Sequence, residues 1–281
     1  MGYKTPAELV QSCARMAEKK GAWAPVQMLV LGFMAGAYIA MAGFLYTVVT
    51  QDAARYVGTG IAKLLGGTVF PLGLILVVIA GGELFTGNCL MPMGILVGCV
   101  PLGRVIKNWT WVFLSNMAGA VAVAFLVHWS GLAEGEVGAN ALKIAAVKMS
   151  LPFGQAMVRG VLCNWLVALA VWMSMAADDV AGKISAIFFP IMGFVASGFE
   201  HNVANMYYMA LGILIRRDGS SLTLSNLPVD KLSNVNLAGY IGNLLPVTLG
   251  NVLGAILFVV VTYFVVFKDQ VAGGIEDRGA E

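Results

Sequence analysis

The sequence predicts an all-α membrane protein with six transmembrane helices, arranged as two inverted three-helix repeats in which helices 2 and 5 are broken. Three observations carry that prediction. Of 281 residues, 59% are hydrophobic and 11% charged, whereas a soluble domain carries about a quarter charged residues because its surface must face water. Residues 25–51, 108–127, 160–177 and 232–267 hold no charge, and each run approaches or exceeds the roughly 20 helical residues that cross a bilayer. The chain also repeats itself. Glu83 precedes Asn88 as Glu200 precedes Asn205, and Asn108, Asn116, Gly119 and Ala120 match Asn243, Asn251, Gly254 and Ala255 at identical spacing.

The elements follow in order within one domain spanning 1–281. Residues 1–24 hold an amphipathic helix, with Pro6 and Glu8 in its first turn and Ala7, Val10, Ala14 and Ala17 on one face, set on the membrane surface or under the bundle. Repeat 1 covers 25–129. Its first span, about 25–50, carries Gly32, Ala35, Gly36, Ala40 and Gly43 as a small-residue stripe for close helix packing. The next apolar region, 64–103, is too long for one span and is interrupted by Gly81, Gly82, Glu83, Gly87, Asn88 and Pro92. A third span covers 108–129. A polar loop holding Glu134, Glu136, Lys143 and Lys148 leads to repeat 2, residues 155–267. There a span at 155–177 precedes a second interrupted region, 184–215, and a last span at 237–267 precedes a C-terminal tail, 268–281. With three spans per unit the copies sit in opposite orientations, and broken helices in corresponding places point to a transport site at the midplane.

Composition also excludes function classes. A net charge of +2 is too small for a nucleic-acid partner. The cysteines, Cys13, Cys89, Cys99 and Cys163, form no CxxC pair, so neither a disulfide framework nor a zinc site is indicated, and no cofactor or metal is expected. No cleavable signal peptide is apparent, because the first apolar run follows a polar segment and is too long for a signal core. Arg15, Lys19 and Lys20 before the first span favour a cytoplasmic N-terminus and, with six spans, a cytoplasmic C-terminus.

The chemistry concentrates at the breaks. Backbone that leaves a helix at membrane depth survives only where it is buried in protein or lines a watery cavity. Each break exposes a half-helix N-terminus whose free N–H groups favour an anion. Two readings stand for Glu83 and Glu200: carboxylates that brace the broken backbone with Asn88 and Asn205, or members of a proton relay. His201 at the second break is either a satisfied structural imidazole or a group that hydrogen-bonds or protonates a passing anion. Thr86 supplies a hydroxyl at what reads as the matching place in the first repeat. Taken alone, Lys148 is a solvated loop lysine, and Phe70, Leu74, Leu84 and Phe194 are ordinary lipid- or core-facing residues.

Four stretches resemble the formate/nitrite transporter family: Gly-Gly-Glu-Leu-Phe-Thr-Gly-Asn at 81–88, Leu-Cys-Asn-Trp-Leu-Val at 162–167, Ser-Gly-Phe-Glu-His-Asn-Val-Ala-Asn-Met at 197–206 and Asn-Leu-Leu-Pro-Val-Thr-Leu-Gly-Asn at 243–251. Tyr-Thr-Val-Val-Thr at 46–50 and Lys-Leu-Leu-Gly-Gly at 63–67 resemble its formate-channel branch. The resemblance implies an aquaporin-like protomer in a homopentamer of a bacterial or archaeal inner membrane, with one pore per protomer. It implies that Thr86, His201 and Asn251 are the central polar residues and that Lys148 adds positive potential near them. It implies that Leu84 and Phe194 narrow the cytoplasmic side, that Phe70 and Leu74 narrow the other, and that the N-terminal helix is linked to gating. The expected cargo is a small monovalent anion, formate foremost, with nitrite, hydrosulfide, lactate and acetate as alternatives. Water or glycerol conduction would favour paired Asn-Pro-Ala loops, which the sequence lacks. An intramembrane enzyme using Glu200 and His201 as acid and base is the competing class, but no Ser or Cys nucleophile stands in a recognisable partner motif and no HExxH spacing occurs.

Overall fold

The computed structural model describes residues 3–219 and 221–276. Helix α1 (Pro6–Gly21) starts on Pro6 and is capped by Thr5, whose hydroxyl accepts the Glu8 N–H while the Glu8 carboxylate accepts the Thr5 N–H. That reciprocal pairing satisfies two donors the helix start would otherwise leave bare. Helix α2 (Pro25–Thr50) crosses the membrane. Helix α3 (Ala53–Gly81) follows, kinked where Gly58 takes φ 78° and loosened to π-helix over Leu76–Gly81. After a break, α4 (Phe85–Leu96) continues and α5 (Leu102–Trp129) crosses again. The second half runs α6 (Gly135–Met149), α7 (Phe153–Ser174), α8 (Val180–Ser197), a second break and α9 (Asn202–Asp218). Two helical turns, Leu222–Ser225 and Val229–Ser233, then lead to α10 at 237–276.

Among the described residues six helices are long and apolar enough to span a membrane: α2, α3, α5, α7, α8 and α10. Large apolar side chains such as Val26, Val30, Leu126, Phe189, Val265 and Val266 stand exposed on their outer faces, where hydrocarbon replaces water.

The duplication is visible in the packing. Helices α2 and α5 run parallel, with the Met28 carbonyl accepting from Ser115 and the Gly32 carbonyl from Asn116. Helices α7 and α10 repeat the arrangement, with the Gly160 carbonyl accepting from Asn251. A Cβ on Gly119 would strike the Phe33 carbonyl, and one on Gly254 the Val161 carbonyl. Backbones this close need a residue without a side chain.

Two boundaries differ from expectation. The polar segment before the fourth span is not a loop: residues 135–149 form α6, which buries Ala139, Ala141, Leu142, Ala145 and Ala146 along one face. Its Glu136, Lys143 and Lys148 break up that apolar pattern in the sequence, so the charges mask a short amphipathic helix. This helix also enlarges the repeat, because one offset relates Lys20 to Lys148, Leu31 to Arg159 and Gly32 to Gly160. Helices α1 and α6 are thus counterparts, and each half consists of a surface helix, a span, a broken span and a span. The expected tail from 268 begins as helix instead, since α10 runs on to Glu276; residues 277–281 lie outside the described residues.

Three crossings separate α1 from α6, so they lie on opposite faces. Helix α1 packs on α10, which puts the described N- and C-terminal segments on the same face. Below, this is the N-terminal face and the other is the distal face.

The glycine crossings yield a prediction. Gly119→Leu and Gly254→Leu should each cost about 1–3 kcal/mol or more through overpacking, read as a lowered unfolding midpoint in detergent. Gly103→Ala, where a Cβ meets open space, should leave the midpoint unchanged.

Candidate functional site

At the first break the chain turns out of α3 at Gly81 (φ 96°), runs extended through Gly82 and Leu84 and re-enters helix at Phe85. At the second, α8 ends on Gly198 in the left-handed region (φ 75°) and α9 begins after His201. Left-handed backbone suits glycine because it has no Cβ to clash.

Both breaks are held by the same clamp. The Glu83 N–H donates to the Leu31 carbonyl, and the Glu200 N–H to the Arg159 carbonyl. The Asn116 side chain accepts the Phe85 N–H and donates to the carbonyls of Gly32 and Glu83. The Asn251 side chain accepts the Asn202 N–H and donates to the carbonyls of Gly160 and Glu200. One amide thus serves loosened backbone on both sides, which is how a helix break is satisfied without water.

A second tier is ionic. Asn88 donates to Glu83 (2.7 Å) and to Asn108, and Asn205 donates to Glu200 (2.6 Å) and to Asn243. Lys20 of α1 reaches Glu83 at 2.7 Å, and Lys148 of α6 reaches both oxygens of Glu200 at 3.1 Å. Both carboxylates are buried, at 1% and 4% exposure. A buried carboxylate with a cation and an amide on it has the partners that burial demands.

The clamps fix the register between the halves. Since Asn116 takes the Phe85 N–H where Asn251 takes that of Asn202, Leu84 is the counterpart of His201, and Thr86 is the counterpart of Val203. Thr86 therefore does not occupy the matching place to His201, contrary to expectation. The two meet across the pseudo-axis instead, with Thr86 Oγ1 2.9 Å from His201 Nε2 and both residues buried. His201 Nδ1 accepts the Ala204 N–H at 3.1 Å and so caps α9. With Nδ1 an acceptor, the neutral ring carries its proton on Nε2 and donates to Thr86, whose own hydroxyl hydrogen remains available. The N-terminus of α9 points its positive dipole end at this pair.

A cavity lies to either side. Toward the N-terminal face, one of about 380 Å³ is lined by Lys20, Leu74, Glu83, Leu84 and Asn88 among others. Toward the distal face, one of about 90 Å³ is lined by Lys148, Phe70, Phe194, Glu200, His201 and Asn205 among others. Phe194 stacks on the His201 ring, with centroids 5.9 Å apart, and Phe70 meets Phe194 edge-on, also at 5.9 Å.

This geometry regroups the expected narrowings. Leu84 faces the same cavity as Leu74, and Phe194 the same cavity as Phe70, so Leu84 and Phe194 do not share a side. Leu74 and Phe70 lie one helical turn apart on α3, which carries one toward each side of the centre. Asn251 differs as well: its amide is engaged by the backbone of the break, as Asn116 is, rather than offered to a solute. Lys148 stands in the last turn of α6, not in a loop. Lys20 was missed as a site residue, having been read only for orientation. The signal for it was its equal distance ahead of Gly32 to that of Lys148 ahead of Gly160. Asn164 was missed too. It donates to the carbonyls of Thr86 and Asn251 and so ties the first break to α10.

Residues 7–265 match the family model described as "Formate/nitrite transporter". The chain belongs to the formate/nitrite transporter family. It is 41% identical to a "Probable formate transporter" of Methanothermobacter thermautotrophicus, covering 95% of this chain and 98% of that protein. It is 35% identical to the "Formate channel FocA" of Escherichia coli K12, over 92% of this chain and 94% of that one. Among solved structures it superposes on an "FNT family ion channel" with TM-score 0.80 and 30% identity, covering 92% and 98% of the two chains. A "Pentameric formate channel with formate bound" gives TM-score 0.77 and 35% identity over 86% and 97%. The aquaporin-like, six-span architecture of this formate/nitrite transporter family member is therefore shared with solved channels.

The clamp makes a stability prediction. Lys20→Met leaves Glu83 buried without its cation and should cost about 3–5 kcal/mol, read by thermal unfolding in detergent. Adding Glu83→Gln should recover a large part of that loss.

Proposed function

We propose that this protein is a homopentameric channel that passes small monovalent anions, formate foremost, through one path in each protomer. Thr86, His201 and Lys148 act on the anion, and Leu74, Leu84, Phe70 and Phe194 narrow its way. The observation that carries this reading is the buried Thr86–His201 pair, set between two cavities that each hold a lysine. The named substrates of the relatives support formate, and the distal cavity of about 90 Å³ suits a solute of few atoms better than a longer carboxylate. The relatives are named as channels and transporters, which supports transport rather than catalysis.

Lys20 and Lys148 offer an approaching anion N–H donors beside their glutamates, but at the leucine or phenylalanine pairs it must give up water at a large desolvation cost. The Thr86 hydroxyl is the donor placed to replace part of that hydration at the centre, backed by the His201 N–H. Carrying the solute as a neutral acid removes most of the cost, and His201 is the group that could exchange a proton there. To hold a second proton at Nδ1, the ring must release the Ala204 N–H, so protonation is coupled to the cap of α9.

Thr86→Val should lower formate flux into proteoliposomes by about tenfold, the loss of one hydrogen bond to a charged solute. His201→Ala should change the pH profile of that flux between about pH 5 and about pH 8; an unchanged profile removes the relay role and leaves the channel.

We place the N-terminal face in the cytoplasm of an inner membrane, following Arg15, Lys19 and Lys20. Cys99, half-buried in the turn after α4, lies on that face, while Cys13, Cys89 and Cys163 are buried. Burial raises the Cys99 thiol and pushes that of Cys13 up to about 12. In intact cells a membrane-impermeant maleimide at mildly alkaline pH should therefore leave Cys99 unlabelled and label it after permeabilisation. Labelling before permeabilisation reverses the orientation.

A further inference from the structure

One exposed stripe of α5 changes character along its length. Arg104, Lys107, Trp111, Leu114 and Ala118 follow one another at spacings of three and four, and all five are exposed, so they share one face. Leu114 and Ala118 form one wall of an apolar groove of about 400 Å³, and α2 forms the other with Val30 and Phe33 among its residues. Lys107 stands nearer the N-terminal face than Leu114 by roughly 10 Å along the helix, and Arg104 by roughly 15 Å, at 1.5 Å per residue. Arg104 lies beside Gly21, the last residue of α1, and so at the level of that surface helix. Neither cation has an ion pair or a side-chain hydrogen bond among the described residues.

Half of a bilayer's hydrocarbon is about 15 Å deep, so the stripe matches one lipid leaflet from headgroup to chain. The cations stand where phosphates lie, Trp111 where amphipathic rings collect at the interface, and the groove where acyl chains run. We propose that this face binds one anionic glycerophospholipid of the bilayer, with its phosphate on Arg104 and Lys107 and one acyl chain in the α2–α5 groove. A guanidinium matches a phosphate with two parallel N–H bonds, and an ammonium adds a compact charge beside it. The duplication supplies an internal comparison. The offset that relates Asn116 to Asn251 takes Leu114 to Leu249, but it takes Arg104 and Lys107 to Gly239 and Gly242. The leucine is common to both halves, and the paired charge belongs to the N-terminal face alone. Ser115 also lines the groove and donates to the Met28 carbonyl, so the lipid packs across the α2–α5 crossing that carries the first clamp. None of this depends on which solute the channel carries.

The test titrates the purified pentamer in detergent with phosphatidylglycerol or with zwitterionic phosphatidylcholine, and counts bound lipid by native mass spectrometry. One phosphatidylglycerol per protomer should bind about tenfold more tightly than phosphatidylcholine, and should raise the unfolding midpoint as mass action on the folded state requires. Arg104→Ala combined with Lys107→Ala should weaken phosphatidylglycerol about thirtyfold, the loss of two cations at a headgroup, and erase the preference. Ala118→Phe, which fills the groove and leaves both charges, should weaken it about tenfold. Lys183→Ala, in the first turn of α8 on the same face, should change neither lipid. Equal binding of the two lipids, a preference that survives the paired alanines, or an affinity untouched by Ala118→Phe overturns the proposal. A pentamer that retains no phosphatidylglycerol, and falls apart to monomers in the groove variants, shows a contact between protomers and overturns it equally. Should Ala118→Phe fail to assemble, the paired alanines and the wild-type preference decide.

Discussion

Backbone N–H and C=O groups cannot be left bare at membrane depth, and the rest of this structure follows from that constraint. Two helices stop in mid-membrane, and each stop frees donors and acceptors that no water is on hand to take. Asn116 and Asn251 meet this with one side chain apiece, each bonded to three backbone groups from two helices. Asparagine suits the task because a short amide gives and accepts in one plane. Because α2 approaches α5, and α7 approaches α10, at glycine contacts, the carbonyls of Gly32 and Gly160 lie within reach of these amides. The close crossings and the polar clamps therefore meet at the same residues, Gly32 and Gly160.

The glutamates add a different kind of constraint. A buried ion pair contributes little net stability over an apolar substitute, but breaking one is expensive. Lys20–Glu83 and Lys148–Glu200 therefore act less as cement than as registration marks, fixing where α1 and α6 sit against the broken spans. The surface helices thereby belong to the site. A shift of α1 by one turn would take Lys20 off Glu83 and Asn88 together, which ties the N-terminal segment mechanically to the first break.

Much of this was legible in the sequence. The spans were readable because hydrocarbon excludes charge, and the breaks because Glu83, Asn88, Glu200 and Asn205 have no place in an unbroken apolar helix. The repeated asparagines disclosed the duplication. What escaped was relational. Helix α6 was hidden because its buried face is alanine, which carries little hydrophobic signal, while Glu136, Lys143 and Lys148 advertise a loop. Lys20 was hidden because its partner lies far along the chain, and spacing within one segment cannot show a contact between segments. His201 was assigned a false counterpart in Thr86 because Leu84, the true one, carries no polar atom to mark it. The wrong pairing of Leu84 with Phe194 has a similar origin: sequence order does not say on which side of a centre a broken helix places its residues.

That mismatch of counterparts has a further consequence. Duplication alone would build a conduit whose two directions of travel are equivalent, each the mirror of the other. Here a leucine stands at one break where an imidazole stands at the other, and the cavities ahead of them differ fourfold in size. A solute moving inward and one moving outward encounter the same obstacles in reverse order. The resting gradient still fixes the net direction, as it must for any passive route. The profile of barriers along the way is lopsided, so the rates in the two directions need not saturate, or respond to a blocker, at the same concentration.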